Sequence, residues 1–326
     1  MASPSLLDRA RTRFTNALKD LGARRIAGHL QVDPAKAILI FGAPRGGSTW
    51  LEELVRTIPS TATIWEPLDL ENNPPFARIG FWWRQHIPEG EQWPEAEALF
   101  QDLLAGRMLS NYLTRTSTLG QLRAADRLVV KFIRGNLLLP WMVQRFPLPK
   151  PVLLIRHPCA VISSQKKRGT WDKFPVVIET PPHRFDALYR SYQPYFNTAS
   201  TFEERQAASW AADHKYLLEH PLNDVAWTTI TYEELVVYPE ATLRKLFSGW
   251  GMEIPAKALD LVRKPSSTVV EGSRVHDPHA QLSLWQSRMT PDEIQRALAM
   301  VHRFGIDLYD EGVMPTRSFT PGDLPS

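Results

Sequence analysis

Residues 37–51, AILIFGAPRGGSTWL, run an apolar strand pattern into a turn of Pro44, Arg45, Gly46 and Gly47 and then into hydroxyl residues that open a helix. This segment has the shape of a phosphate cradle. Glycines let backbone N–H groups close on an anion, Ser48 and Thr49 add hydroxyl donors, and the helix starting near Trp50 supplies the positive end of its dipole. Further apolar runs at 61–65, 128–133, 151–155 and 225–230 are separated by helical stretches. That alternation predicts an α/β fold of three layers, a central parallel sheet covered by helices on both faces. The cradle then lies at the C-terminal strand ends, and its ligand should carry a phosphate.

A nucleoside triphosphatase loop, G-x-x-x-x-G-K-[ST], is excluded by counting from Gly42. Gly47 takes the sixth place, but Ser48 stands where the lysine belongs, and the only cation of the loop, Arg45, precedes both glycines. Residues Pro44 to Trp50 instead resemble the 5′-phosphosulfate loop of the sulfotransferase family, position by position. The resemblance implies a P-loop-like fold and the donor 3′-phosphoadenosine-5′-phosphosulfate (PAPS), with 3′-phosphoadenosine-5′-phosphate (PAP) as product. It assigns Arg45, Gly46, Gly47, Ser48, Thr49 and Trp50 to donor binding.

Such a donor needs a second phosphate site. PVLLIRHPCAVISSQKKR, residues 151–168, places Ser164 eight residues after Arg156, which ends an apolar strand. The family has the same spacing there, and a guanidinium fork can grip the 3′-phosphate in bidentate fashion. TYEEL, residues 231–235, is similar to the family's strand-to-helix Tyr-Glu-x-Leu, which puts Tyr232 against adenine. KPSSTVVEGSRVHD, residues 264–277, takes the place of a late loop over the donor, with Ser267 and Arg274 as phosphate contacts. The likeness extends from about residue 37 to about residue 290.

An acceptor hydroxyl must lose a proton as it attacks sulfur, so a base belongs beside the phosphosulfate. Glu66, in TATIWEPLDL, stands at the end of the second strand run and is the candidate, as in tyrosylprotein and several carbohydrate members of the family. Cytosolic members use a histidine, and none of the nine here matches that context. The leaving 5′-phosphate gains charge, and Arg45 with Lys131 of RLVVKFIRGN supplies cations. The resemblance calls for no metal. A P-loop kinase using ATP and magnesium, and a nonenzymatic nucleotide-binding protein, are the alternatives.

The 326 residues, 43% hydrophobic, suffice for one large domain, expected at 37–310, with a tail at 311–326. Stretches at about 69–126 and 165–224, rich in Trp, Pro, His and Arg, are expected to form the acceptor site, with Trp82, Trp83 and Trp171 as aromatic surfaces for sugar rings or for aryl, lipid or peptide acceptors. A net charge of +3 is too small to indicate nucleic-acid binding. One cysteine, Cys159, and no apolar run of spanning length suggest a cytoplasmic setting. Residues 1–36 form a basic segment in which 5–30 set Leu7, Phe14, Leu18 and Leu21 on one helical face. Amphipathic helices mostly cover cores, so packing on the domain is expected; the other reading is contact with an acidic membrane surface.

Overall fold

The computed structural model describes residues 6–30, 32–168, 182–262 and 278–320. Five strands, β1 (Ile38–Gly42), β2 (Thr61–Trp65), β3 (Arg127–Phe132), β4 (Val152–Ile155) and β5 (Thr228–Thr231), form one sheet in the order β2-β3-β1-β4-β5. Every neighbouring pair is parallel. The chain goes from β1 to the β2 edge, returns through β3, and then crosses to β4 on the far side of β1. The crevice of a sheet with that order opens at the C-terminal end of β1, where the loop of residues 43–47 lies.

Side chains alternate along each strand and bury on both faces. Leu39, Phe41, Leu128, Val130, Phe132, Leu153 and Ile155 enter one core, with the helix Phe202–Glu219 contributing Ala207, Ala208, Trp210 and Ala211. Ile38, Ile40, Val129, Val152, Leu154 and Ile230 enter the other, beneath the helix Ser48–Val55. The same period assigns Trp65, Lys131 and Tyr232 to this second face. Trp65 pairs in register with Lys131, so indole and lysine are neighbours before any ligand is considered.

Four strand runs appear within one residue of their expected bounds. The fifth begins later, at Thr228 rather than Val225, because Val225 and Ala226 both donate to the Leu222 carbonyl in a turn. Trp227 fills the core while Val225 is left exposed. Within the stretch at 165–224, Tyr189, Tyr192 and Phe196 are buried in the core: Tyr192 and Phe196 pack on Phe304, and Tyr189 stacks on Phe196.

The helix Leu6–Ala27 reverses the expected orientation of its apolar face. It packs through Ala23, Ile26 and Ala27, and leaves Phe14, Leu18 and Leu21 exposed. Lys19 donates to the Thr114 carbonyl at 3.1 Å, and Asp20 accepts from the Asn111 N–H at 2.9 Å. No described helix is long and apolar enough to cross a membrane.

Candidate active site at the strand ends

The loop after β1 is shaped by two left-handed residues, Arg45 at φ 68° and Gly47 at φ 92°. Glycine at 47 is also a matter of space, since a Cβ there would fall 2.3 Å from Cδ2 of Tyr232. The tyrosine ring therefore lies directly on the loop, with Trp50 against its edge at 5.6 Å. Gly47 caps the helix Ser48–Val55 without a side-chain bond, so the Ser48 and Thr49 N–H groups keep their donor capacity for an anion, while the Trp50 N–H donates to the Gly47 carbonyl at 3.0 Å.

Three distant segments converge on this loop. Arg45 Nε donates to Ser164 Oγ at 2.9 Å, Arg156 Nη1 donates to the Arg45 carbonyl at 3.2 Å, and the Arg156 guanidinium lies 4.3 Å from the Tyr232 ring centre. Together they border a cleft of about 860 Å³ that also takes in Ser48, Thr49, Glu66, Lys167 and Arg288. Among the described residues, six cationic side chains line it, Arg45, Arg115, Arg134, Arg156, Lys167 and Arg288, against two carboxylates, Glu66 and Asp69. That balance favours an anionic ligand. Four polar atoms of lining residues are buried with no partner: Arg156 Nε, Ser163 Oγ, Trp50 Nε1 and Trp285 Nε1. Buried polar groups are nearly always satisfied, so these four fit a polar ligand that completes them.

Lys131 is fully buried below the cleft floor rather than in the cleft itself. Its ammonium donates to Thr49 Oγ1 at 3.1 Å, stands 3.3 Å from Glu52 and 3.8 Å from Glu66, and lies 3.0 Å from the centre of the Trp65 ring. Burial pulls the lysine below its ordinary range, and the two carboxylates oppose that pull. Glu66 is pushed upward by burial, with Lys131, Arg134 and Arg115 acting against the shift. Strict strand alternation would send residue 66 to the face opposite Trp65 and Lys131. The strand ends at Trp65, and Glu66 takes φ 38°, which redirects its carboxylate toward the lysine.

The wall beyond Glu66 comes from residues that the sequence reading passed over. Tyr112 donates to Asp69 at 2.8 Å, Arg115 lies over the rings of Trp65 (5.1 Å) and Tyr112 (5.4 Å), and Arg134 lies over Trp83 at 4.6 Å. Glu52 was visible as the residue one helical turn beyond Thr49, Trp65 and Asp69 as neighbours of Glu66, and Arg134 as the next cation after Lys131. Tyr112 and Arg115 fall within the stretch at 69–126 but carry no individual signal there; the sheet helps to bring them to the site, since the Trp65 N–H donates to the Leu113 carbonyl and Thr63 bonds Thr116 and Ser117.

Among the described residues no histidine lines the cleft. His157 is a structural residue: its Nδ1 accepts from the Cys159 N–H, its Nε2 donates to the Asp310 carbonyl, its ring stacks on Trp285 at 4.4 Å, and burial lowers its pKa to about 4. No group of His, Cys, Asp and Glu among the described residues is arranged to hold a metal ion. Ser267, Arg274 and Trp171 lie outside the described residues.

The model of the sulfotransferase family matches residues 37–256. Comparison with curated proteins gives no match. Among solved structures, the sulfotransferase domain of the Synechococcus PCC 7002 olefin synthase shares 18% identity, with 86% of this chain and 98% of that one covered, at a TM-score of 0.44. The sulfotransferase domain of the curacin biosynthetic pathway shares 16%, covering 84% and 98%, at 0.43. Mouse sulfotransferase SULT7A1, complexed with PAP, shares 14%, covering 87% and 89%, at 0.44.

Proposed function

Because the chain belongs to the sulfotransferase family, we propose that it moves a sulfuryl group from PAPS to an acceptor hydroxyl and releases PAP. The observation that carries this reading is the convergence of Arg45, Ser164 and Arg156 beside the glycine loop. The N–H groups of the loop and the Ser48 and Thr49 hydroxyls would hold the 5′-phosphosulfate. Arg156 and Ser164 would hold the 3′-phosphate, and Tyr232 with Trp50 would pack on adenine. The unpaired Arg156 Nε and Ser163 Oγ give the donor two more partners.

In this mechanism Glu66 takes the acceptor proton while the acceptor oxygen bonds to sulfur and the bond from sulfur to the 5′-phosphate oxygen breaks. The displaced electron pair ends on that phosphate, where Arg45 and the helix N-terminus lower its energy. Lys131 acts from beneath, by orienting Thr49 and by holding the Glu66 carboxylate in place. The upward shift of Glu66 makes it a stronger base than an exposed glutamate. Its position, and the absence of histidine from the described lining, support glutamate as the base.

For the acceptor we favour a carbohydrate hydroxyl carrying an anionic group nearby. The support is the pair Arg115 and Arg134, two guanidiniums lying over aromatic rings in the wall next to Glu66. Calorimetry with PAP and with ADP plus magnesium tests the donor assignment. PAP is expected to bind at least about tenfold tighter, because only it engages both phosphate sites; tighter binding of ADP with magnesium would favour a kinase.

A further inference from the structure

We propose that the outer face of the helix Leu6–Ala27 docks on an anionic lipid surface. Four large apolar side chains are exposed among the described residues, and three of them, Phe14 (67%), Leu18 (53%) and Leu21 (67%), fall at i, i+4 and i+7 on this one helix. They form a continuous stripe opposite the side that packs through Ala23, Ile26 and Ala27. A folded domain gains nothing by showing water such a stripe, and among the described residues the one other exposed large apolar side chain, Val225, stands alone.

Charge identifies the occupant. The helix sequence carries six basic residues and two acidic ones. Of the described charges, Arg24 and Arg25 are exposed; Arg24 pairs with Asp20 at 2.7 Å, which also accepts from the Asn111 N–H, so Arg25 is the described cation that faces outward without a carboxylate at its side on this helix. An apolar stripe bordered by arginine is the pattern of a helix that lies in the plane of a membrane surface, its side chains among acyl chains and its cations at anionic headgroups. A second copy fits less well. Two such helices would bring like charges together, and three side chains on one convex helix fall short of the roughly 800 Å² per partner that a stable dimer buries.

The placement has a consequence for the cleft. Lys19 and Asp20 bond Thr114 and Asn111, and Leu119 packs on Gly22. The same short segment carries Tyr112, Arg115 and Thr116 into the cleft wall. Only one chain segment therefore separates the docking helix from the acceptor side.

Sedimentation of the full chain with phosphatidylcholine vesicles, with and without phosphatidylglycerol, tests the proposal. Binding to the anionic vesicles should exceed binding to neutral ones at least about tenfold and should weaken as salt is added. The F14S/L18S/L21S variant should lose at least about tenfold of that binding while keeping its melting temperature and its affinity for PAP. Should that variant fail to fold, Arg25→Glu, an exposed single change, must still weaken anionic-vesicle binding. Equal binding to both vesicle types, no binding to either, undiminished binding by a folded variant, or a dimer that the triple variant dissolves would overturn the proposal.

Discussion

Glu66 precedes Pro67, and a residue before proline normally adopts extended backbone. Its φ of 38° is therefore a local strain, of the order of 1–3 kcal/mol, held by the turn in which Asp69 N–H donates to the Glu66 carbonyl at 3.1 Å. The E-P pair made this residue visible in the sequence. The redirection did not show there, because it depends on where β2 stops relative to Lys131 on the neighbouring strand. Glu66→Gln should bind PAP within about twofold of the parent and lose roughly 10²–10⁴ in kcat. In the proposed role Glu66 must be ionised, and its pKa is raised by burial, so activity should fall with decreasing pH at values above the ordinary 4.5. A pH-rate profile whose acid limb lies at or below 4.5 would remove Glu66 from this role.

The loop, the helix Ser48–Val55 and the helix Tyr232–Val237 behave as one element because the Tyr232 ring occupies the space a Cβ on Gly47 would need. Gly47→Ala should force both a left-handed alanine and a displaced tyrosine, and PAP affinity should drop about tenfold or more by calorimetry. Adding Tyr232→Ala should cost less than the sum of the two single losses, the mark of a direct contact. Strand elements were readable where β-branched and aliphatic runs coincide with burial, as in ILIF and VLLI. β5 was misplaced because its own residues are mostly threonines. The hydroxyls of Thr229 and Thr231 are satisfied by Asn223 and Glu234, so a polar run can form a buried strand while the apolar residues ahead of it form a turn.

Across the whole molecule, the buried histidines connect segments that sequence reading left separate. His157 follows β4 by two residues yet joins Trp285, Tyr309 and Asp310 near the C-terminal end, and Tyr309 donates to buried Glu233 at 2.8 Å. Folded His157 titrates near 4 against an ordinary 6.5. The unfolded chain therefore takes up this proton first, and the stability contribution, complete above 6.5, is lost as pH falls toward 4. The loss reaches about 3 kcal/mol as an order of magnitude. Glu233, pushed upward by burial, works in the opposite sense, so the measurement is a difference. Thermal or urea unfolding from pH 7 to 4 should show a shallower decline for His157→Gln than for the parent; equal slopes would exclude His157 as the source.

The cleft is a single continuous space from the Arg156 end to the wall of Tyr112 and Arg115. Inhibitor chemistry can use that continuity. A nucleoside bisphosphate joined by a short linker to an aromatic acid would place one end by the glycine loop and the other beside Arg115 and Arg134. Tethering turns the second contact into an intramolecular one, with an effective concentration in the millimolar range or above. Such a molecule would reject targets whose donor and acceptor pockets are walled apart.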